Sequence, residues 1–181
     1  LGLYPGTVGR EEELRQLIEI LSCRDKRNAL LLGEPGVGKT ALVEDFVLRL
    51  VQRRVPPRFH GKKVYLMSVA TLLAGAKFRG QFEERVLDLV KLLKAQDCLV
   101  FIDNFHNVVN SGLTRGGTLD TSSILKPFLV KGELQVIGAT THEEFRQNVE
   151  KDLSLLRCFQ VLPIEEPTVE EAAEMVVHVR S

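Results

Sequence analysis

Short apolar runs alternate along the chain with longer stretches in which apolar residues recur at three- and four-residue spacing. That is the pattern of an α/β protein built on a mostly parallel sheet. From Glu11 to Leu21, the residues Leu14, Leu17, Ile18 and Leu21 fall on one face, and Glu11, Glu12 and Glu13 occupy the first turn, where the helix dipole favours acids. This segment reads as an amphipathic helix. The run Ala29–Leu32 ends in glycine and predicts a strand; a helix over about Thr40–Arg53 follows, and Pro56-Pro57 breaks the chain after it. A second strand is predicted at Val64–Val69. The next helix, about Gln81–Lys94, has Phe82, Val86, Leu89, Val90 and Leu93 on its apolar face. Cys98–Asp103 is apolar on both sides and predicts a central strand. Asn110–Thr118 is polar and glycine-containing, so it reads as a loop, and Leu119–Lys131 as a helix kinked or interrupted by Pro127. Glu133–Ala139 predicts a fourth strand, Glu143–Val149 a helix and Phe159–Ile164 a fifth strand. Glu166-Pro167-Thr168 ends that strand and offers a cap to a last helix over Val169–Val179.

Composition narrows the picture. The 181 residues suffice for one ordinary domain, and 24 basic against 24 acidic residues give no net charge. Neutrality argues against a protein that holds nucleic acid on a broad basic face, though a local basic site is compatible with it. The apolar runs Ala29–Leu32 and Cys98–Ile102 are far too short to span a bilayer. Three cysteines without a C-x-x-C pair suit a reducing compartment, the cytoplasm or an organelle matrix. The chain opens at Leu1 and reads as a piece cut from something longer.

Gly33-Glu34-Pro35-Gly36-Val37-Gly38-Lys39-Thr40 fits G-x-x-x-x-G-K-[ST] between a predicted strand and a predicted helix, the context a phosphate-binding loop requires. Glycines let backbone N–H groups turn inward around a phosphate, and the helix start adds its positive end. Lys39 neutralises β/γ oxygens, and Thr40 offers a hydroxyl to Mg²⁺. Such a loop needs a second acid on a neighbouring strand, and Leu99-Val100-Phe101-Ile102-Asp103 supplies it in Asp103. Asn104 comes next, where ATPases that use a carboxylate base usually carry glutamate; an amide orients water without taking its proton. Read on its own, Asn104 is more simply an inert loop residue. Phe78 between two cations is a mobile aromatic or a core residue of the following helix. Arg157 alone is a solvated or paired arginine and His106 a loop histidine with no metal set around it. Arg53, Arg54, Arg58, Lys62 and Lys63 read as a solvated face.

Taken together, Val8–Glu13, the P-loop, LLAGAKFRGQFEERV at 72–86, FIDNFH at 101–106, ILKPFLVKGELQVIGATTHEEFR at 124–146 and EKDLSLLRCFQ at 150–160 resemble one family. It is the first AAA+ module of the Clp-type unfoldases and disaggregases, the ClpA, ClpB, ClpC and ClpV group. The resemblance implies a P-loop α/β sandwich with a five-stranded parallel sheet of order 5-1-4-3-2 and helices on both faces. Residues 1–167 would form the large subdomain and 168–181 the start of a helical lid. It also implies an ATP- and Mg²⁺-dependent ATPase working as a hexamer that threads unfolded or aggregated polypeptide through a pore, with a peptidase or adaptor as further partner. Carried over, Thr7 and Val8 lie where the family contacts adenine, and the loop from Gly33 through Glu34, Pro35, Gly36, Val37, Gly38, Lys39 and Thr40 holds phosphate. Asp103 and Thr40 hold the metal, Thr141 matches the sensor of the γ-phosphate, and Arg157 matches the finger that reaches a neighbouring subunit's nucleotide. Lys77-Phe78-Arg79-Gly80 matches the substrate-gripping pore loop, with Phe78 in the place of the usual tyrosine. Asn110–Asp120 matches a second pore loop.

Two departures touch the chemistry: Asn104 stands where the family usually has glutamate, and Arg157-Cys158 where it usually has two arginines. They leave two readings open, a motor module or a slow nucleotide-binding scaffold. A GTPase reading lacks N-K-x-D, and a small-molecule kinase would have no use for the pore-loop match. Residues 1–181 alone are expected to associate weakly and bind nucleotide poorly.

Overall fold

The computed structural model describes residues 9–74, 79–109, 113–114, 117–118 and 121–167. Helix α1 (Glu11–Ser22) buries Leu14, Leu17, Ile20 and Leu21, and its acids occupy the first turn. Strand β1 (Asn28–Leu32) leads through the glycine loop into α2 (Lys39–Val51). Strand β2 (Val64–Met67) precedes the short α3 (Val69–Leu73) and the long α4 (Arg79–Ala95). After β3 (Leu99–Ile102) come α5 (His106–Val109) and α6 (Thr121–Val130), with Pro127 inside the latter. Strand β4 (Gln135–Thr140), α7 (His142–Glu144), a π turn (Phe145–Val149), α8 (Leu153–Leu156) and β5 (Phe159–Pro163) complete the order.

All five strands pair in parallel in the order β2-β3-β4-β1-β5. Read from the other edge this is the expected 5-1-4-3-2. Leu30 stands opposite Gly138 on one side and Val161 on the other, so β1 is an interior strand. Each residue of β1, β3 and β4 is buried, because helices cover both faces of the sheet. One face packs α1 and α2 against it through Leu14, Leu17, Leu42 and Phe46, with Phe46 edge-on to Phe59 at 6.0 Å. The other face carries α4, α5, α6 and α8 through Phe82, Val86, Phe105, Val108, Leu125 and Leu155.

The structure departs from the sequence reading in several places. Strand β2 stops at Met67 because Ser68 caps α3, its side chain accepting from the Thr71 N–H at 3.4 Å. Arg79 and Gly80 lie in the first turn of α4, ahead of the predicted start at Gln81. The tract expected as a plain loop contains a two-residue antiparallel ladder, Leu113–Thr114 with Gly117–Thr118. The predicted helix at 143–149 is split into α7 and a π turn. The last predicted helix, Val169–Val179, lies outside the described residues.

Candidate functional site

The loop between β1 and α2 must reverse direction within a few residues. Gly36 and Gly38 do this at φ of 86° and 98°, and Gly38 directly precedes α2. A side chain at either would meet no atom within 4 Å, so the demand is purely on backbone conformation. Gly33 is needed for a different reason: a Cβ there would lie 2.4 Å from the Ile164 carbonyl oxygen. That close approach lets the Gly33 N–H donate to Thr140 O (3.2 Å) and the Ile164 N–H to Leu32 O (2.7 Å), fixing the loop's root to β4 and β5. Val37 is buried and anchors the loop's crown.

Lys39 extends back along the loop, and its Nζ donates to Gly33 O (2.7 Å) and Glu34 O (2.8 Å). Partial burial lowers the pKa of this ammonium, an effect that the nearby charges of Asp103 and Glu34 only partly oppose. A cation held by carbonyls and short of counter-charge is set to receive an anion. It borders a cleft of about 360 Å³ also lined by Pro35, Gly36, Gly38, Thr40, Asp103, Asn104 and Thr141. The structure therefore brings eight of the expected residues around one space at the carboxyl ends of β1, β3 and β4. Gly33, Glu34 and Val37 support the loop without lining that space.

Asp103 and Asn104 follow β3 and are both exposed to the cleft; Asp103 Oδ1 accepts from the Asn104 N–H at 2.9 Å. Asn104 adopts φ of 52°, a left-handed conformation that asparagine tolerates better than most residues. Thr141 has a double role: it lines the cleft while its Oγ1 accepts from the Glu144 N–H (3.2 Å) and caps α7. Beside it, Thr140 is buried, lines the cleft, and sits with Oγ1 3.2 Å from His106 Nδ1. Sequence reasoning overlooked Thr140 and left His106 as an unassigned loop residue.

Arg10 was also overlooked as an individual side chain. It is buried to 5% exposure. Its guanidinium donates to Glu13 Oε1 (2.6 Å), Val37 O (3.0 Å) and Glu165 O (2.6 Å). One cation thus ties the start of α1, the crown of the glycine loop and the exit of β5 together. An arginine three residues before a glutamate at a helix start was the available signal, and it pointed only to a local pair.

Arg157 is not in this cleft. It caps α8 and borders a separate cleft at the opposite, amino-terminal end of the strands. Its turn is anchored by Asp152, which accepts from Lys126 Nζ (2.6 Å), Ser154 Oγ (2.7 Å), Ser122 Oγ (3.3 Å) and the Leu155 N–H (3.1 Å). Burial works against the Asp152 carboxylate, but these donors prevail and hold its pKa below the ordinary range. Cys158 turns inward, donating from Sγ to Ser154 O at 3.7 Å, and burial pushes its thiol pKa up. Of the face read as solvated, Lys62 is largely covered and pairs with Asp97, and Arg58 donates to Ser22 O. Among the described residues no group of three or more His, Cys, Asp or Glu is placed to hold a metal, and no helix is long and apolar enough to cross a membrane. Thr7, Val8, Lys77 and Phe78 lie outside the described residues, as does the Arg79 side chain and most of Asn110–Asp120.

Residues 29–164 match the model of the ATPase family associated with various cellular activities (AAA). The chain is 47% identical over 171 residues to chaperone protein ClpB of Enterococcus faecalis, covering 93% of this chain and 20% of that protein. To the ATP-dependent Clp protease ATP-binding subunit ClpC of Staphylococcus saprophyticus it is 44% identical over 180 residues, covering 99% of this chain and 22% of that one. Among solved structures, a closed-state reconstruction of Hsp104 with ATPγS and FITC casein superposes with a TM-score of 0.86 at 39% identity, over 96% of this chain and 30% of that chain. The Hsp104–ADP complex of S. cerevisiae gives the same score over 98% of this chain. The chain thus spans about a fifth of the length of the curated relatives it matches.

Proposed function

Because the chain belongs to the AAA family of ATPases, in its Clp type, we propose that the cleft between the glycine loop, Asp103 and Thr141 binds ATP and hydrolyses it. The observation that carries this reading is Lys39, held by Gly33 O and Glu34 O at the mouth of the loop with no carboxylate bonded to it among the described residues. The loop N–H groups and the start of α2 would cradle the phosphates while Lys39 neutralises their terminal oxygens. Thr40 and Asp103 are hard oxygen donors lining the same cleft and suit Mg²⁺. When bound, that ion would offset charge building on the β- and γ-phosphates. Asn104 orients the attacking water, Thr140 and Thr141 report on the terminal phosphate, and Arg10 keeps the loop crown in register with the exit of β5.

On the same reading, residues 1–167 are the large subdomain and 168–181 begin the lid, with Thr7 and Val8 against adenine. The assembled protein is a hexamer that threads unfolded or aggregated polypeptide past Lys77, Phe78, Arg79 and Gly80, with an adaptor or peptidase as further partner, in the cytoplasm or an organelle matrix. Arg157 serves a neighbouring copy's nucleotide. Hydrogen exchange read on peptides of the intact protein tests the cleft. Mg-ATP should slow exchange at Gly36–Thr40 and around Asp103 in the parent, and leave Lys39→Ala unchanged. Equal exchange with and without nucleotide in the parent would remove the reading.

A further inference from the structure

The second cleft encloses about 740 Å³ and is bordered, among the described residues, by Arg24, Lys26, Arg27, Lys131 and Arg157, with Asp25 the single acid. Among the described residues none of these five cations lies within ion-pair distance of a carboxylate. In a chain with as many acids as bases, such a gathering needs something to hold it. The fold does so through backbone anchors. Gln135 Nε2 donates to Leu21 O (2.7 Å) and Arg27 O (3.0 Å), and Gln160 Nε2 to Lys26 O (2.9 Å). Asn28 Nδ2 donates to Cys158 O (2.8 Å) while its Oδ1 accepts from the Val136 N–H (2.8 Å). Arg27 itself donates to Gly132 O, and its Nε is buried without a hydrogen-bond partner among the described residues. Three loops, before β1, β4 and β5, are thereby locked side by side with their cations around one concave space. Cations of one sign in a concave, polar site concentrate field on an incoming polyanion, and guanidinium forks fit phosphate oxygens.

The site cannot serve the chain's own nucleotide. It lies at the amino ends of β4, β1 and β5, whereas the glycine loop, Asp103 and Thr140 lie at carboxyl ends, and the five residues of β1 separate the two by roughly 16 Å. Its anion comes from outside, and position 158, next to Arg157, contributes only an inward-turned thiol. We propose that Arg24, Lys26 and Lys131 act together with Arg157 as an oligophosphate site for the nucleotide held by a second copy of this chain, supplying the positive charge that Cys158 does not. The proposal rests on the reading that Arg157 serves a neighbour's nucleotide.

The test is single-turnover ATP hydrolysis by the intact assembled protein. A triple variant, Arg24→Ala with Lys26→Ala and Lys131→Ala, should slow hydrolysis at least tenfold while remaining assembled by light scattering. The charge-keeping set Arg24→Lys, Lys26→Arg and Lys131→Arg should retain at least half the parent rate. Mixing triple-variant copies with Lys39→Ala copies, whose cationic cleft is intact, should restore hydrolysis, because the cleft acts across the boundary. A triple variant within twofold of the parent while Arg157→Ala is slow would overturn the proposal and leave the role of Arg157 standing. If Arg157→Ala is also at the parent rate, both fall. Loss of assembly in the triple variant, or slowing that mixing does not relieve, would likewise overturn it, the first by showing that the cleft docks protein carboxylates.

Discussion

On the proposed reading, Asn104 is the residue on which the rate of the chemical step would turn. Its amide has no basic site for a water proton, so Asn104→Glu should raise hydrolysis by about 10²–10⁴ if proton removal limits it. The same change places glutamate at φ of 52°, a region costing about 1–2 kcal/mol for ordinary residues. Faster turnover with a lower melting temperature is therefore expected, and an unchanged single-turnover rate would show that Asn104 is not limiting. Arg10 makes the opposite kind of prediction. Arg10→Ala strands Glu13 and leaves Val37 O and Glu165 O without this donor, at a cost of about 3–5 kcal/mol. Arg10→Lys keeps the charge but lacks the fork that reaches three acceptors at once. Chemical denaturation should place it between the parent and Arg10→Ala, with nucleotide affinity falling in the same order.

Among the elements, the turn that carries Arg157 depends on one carboxylate. Asp152 caps α8 and pairs with Lys126 of α6, and its folded pKa is depressed below the ordinary 3.8. A depressed acid contributes stability that is present above about 3.8 and is lost as pH falls through its lower folded value. Asp152→Asn keeps an oxygen to cap α8 but loses the charge paired with Lys126, which should cost about 1.5 kcal/mol at neutral pH and flatten the acid limb of the melting-temperature profile; an unaltered acid limb would contradict this role. Elements with a clear period were legible beforehand: α1 and α4 from their three- and four-residue spacing, β1 and β3 from unbroken apolar runs bounded by turn residues. The strand predicted over Val64–Val69 ends at Met67, because the Ser68 hydroxyl decides for a helix start. The glycine loop and Asp103 were legible because their chemistry is fixed by local spacing. Arg10 was not, since two of its partners are main-chain carbonyls 27 and 155 residues away. The loops at 24–27, 131–132 and 157–158 meet only through the order β4-β1-β5, which no periodicity reveals.

At the scale of the whole molecule, zero net charge conceals a division of labour between the two ends of the sheet. Among the described residues, the cleft at the carboxyl ends is lined by one partly buried lysine with Asp103 nearby, and the cleft at the amino ends by five cations and one acid. On the proposed reading, a module built this way would hold its nucleotide at one end of the strands and act on a neighbour's from the other, and would work with copies side by side. Residues 1–181 alone should run as a monomer or a weakly associated species by light scattering, with poor nucleotide affinity; a stable hexamer of that piece would contradict this. The central claim, that the glycine loop is an ATP site, is tested most directly at Lys39. Burial lowers its pKa from the ordinary 10.5, which makes its amine more reactive towards acylating reagents at a given pH. Acylation of the intact protein followed by peptide mass spectrometry should therefore show Lys39 modified readily in the absence of nucleotide. Mg-ATP should protect it at least tenfold while the exposed Lys91 reacts unchanged; equal modification of Lys39 with and without Mg-ATP would contradict the account.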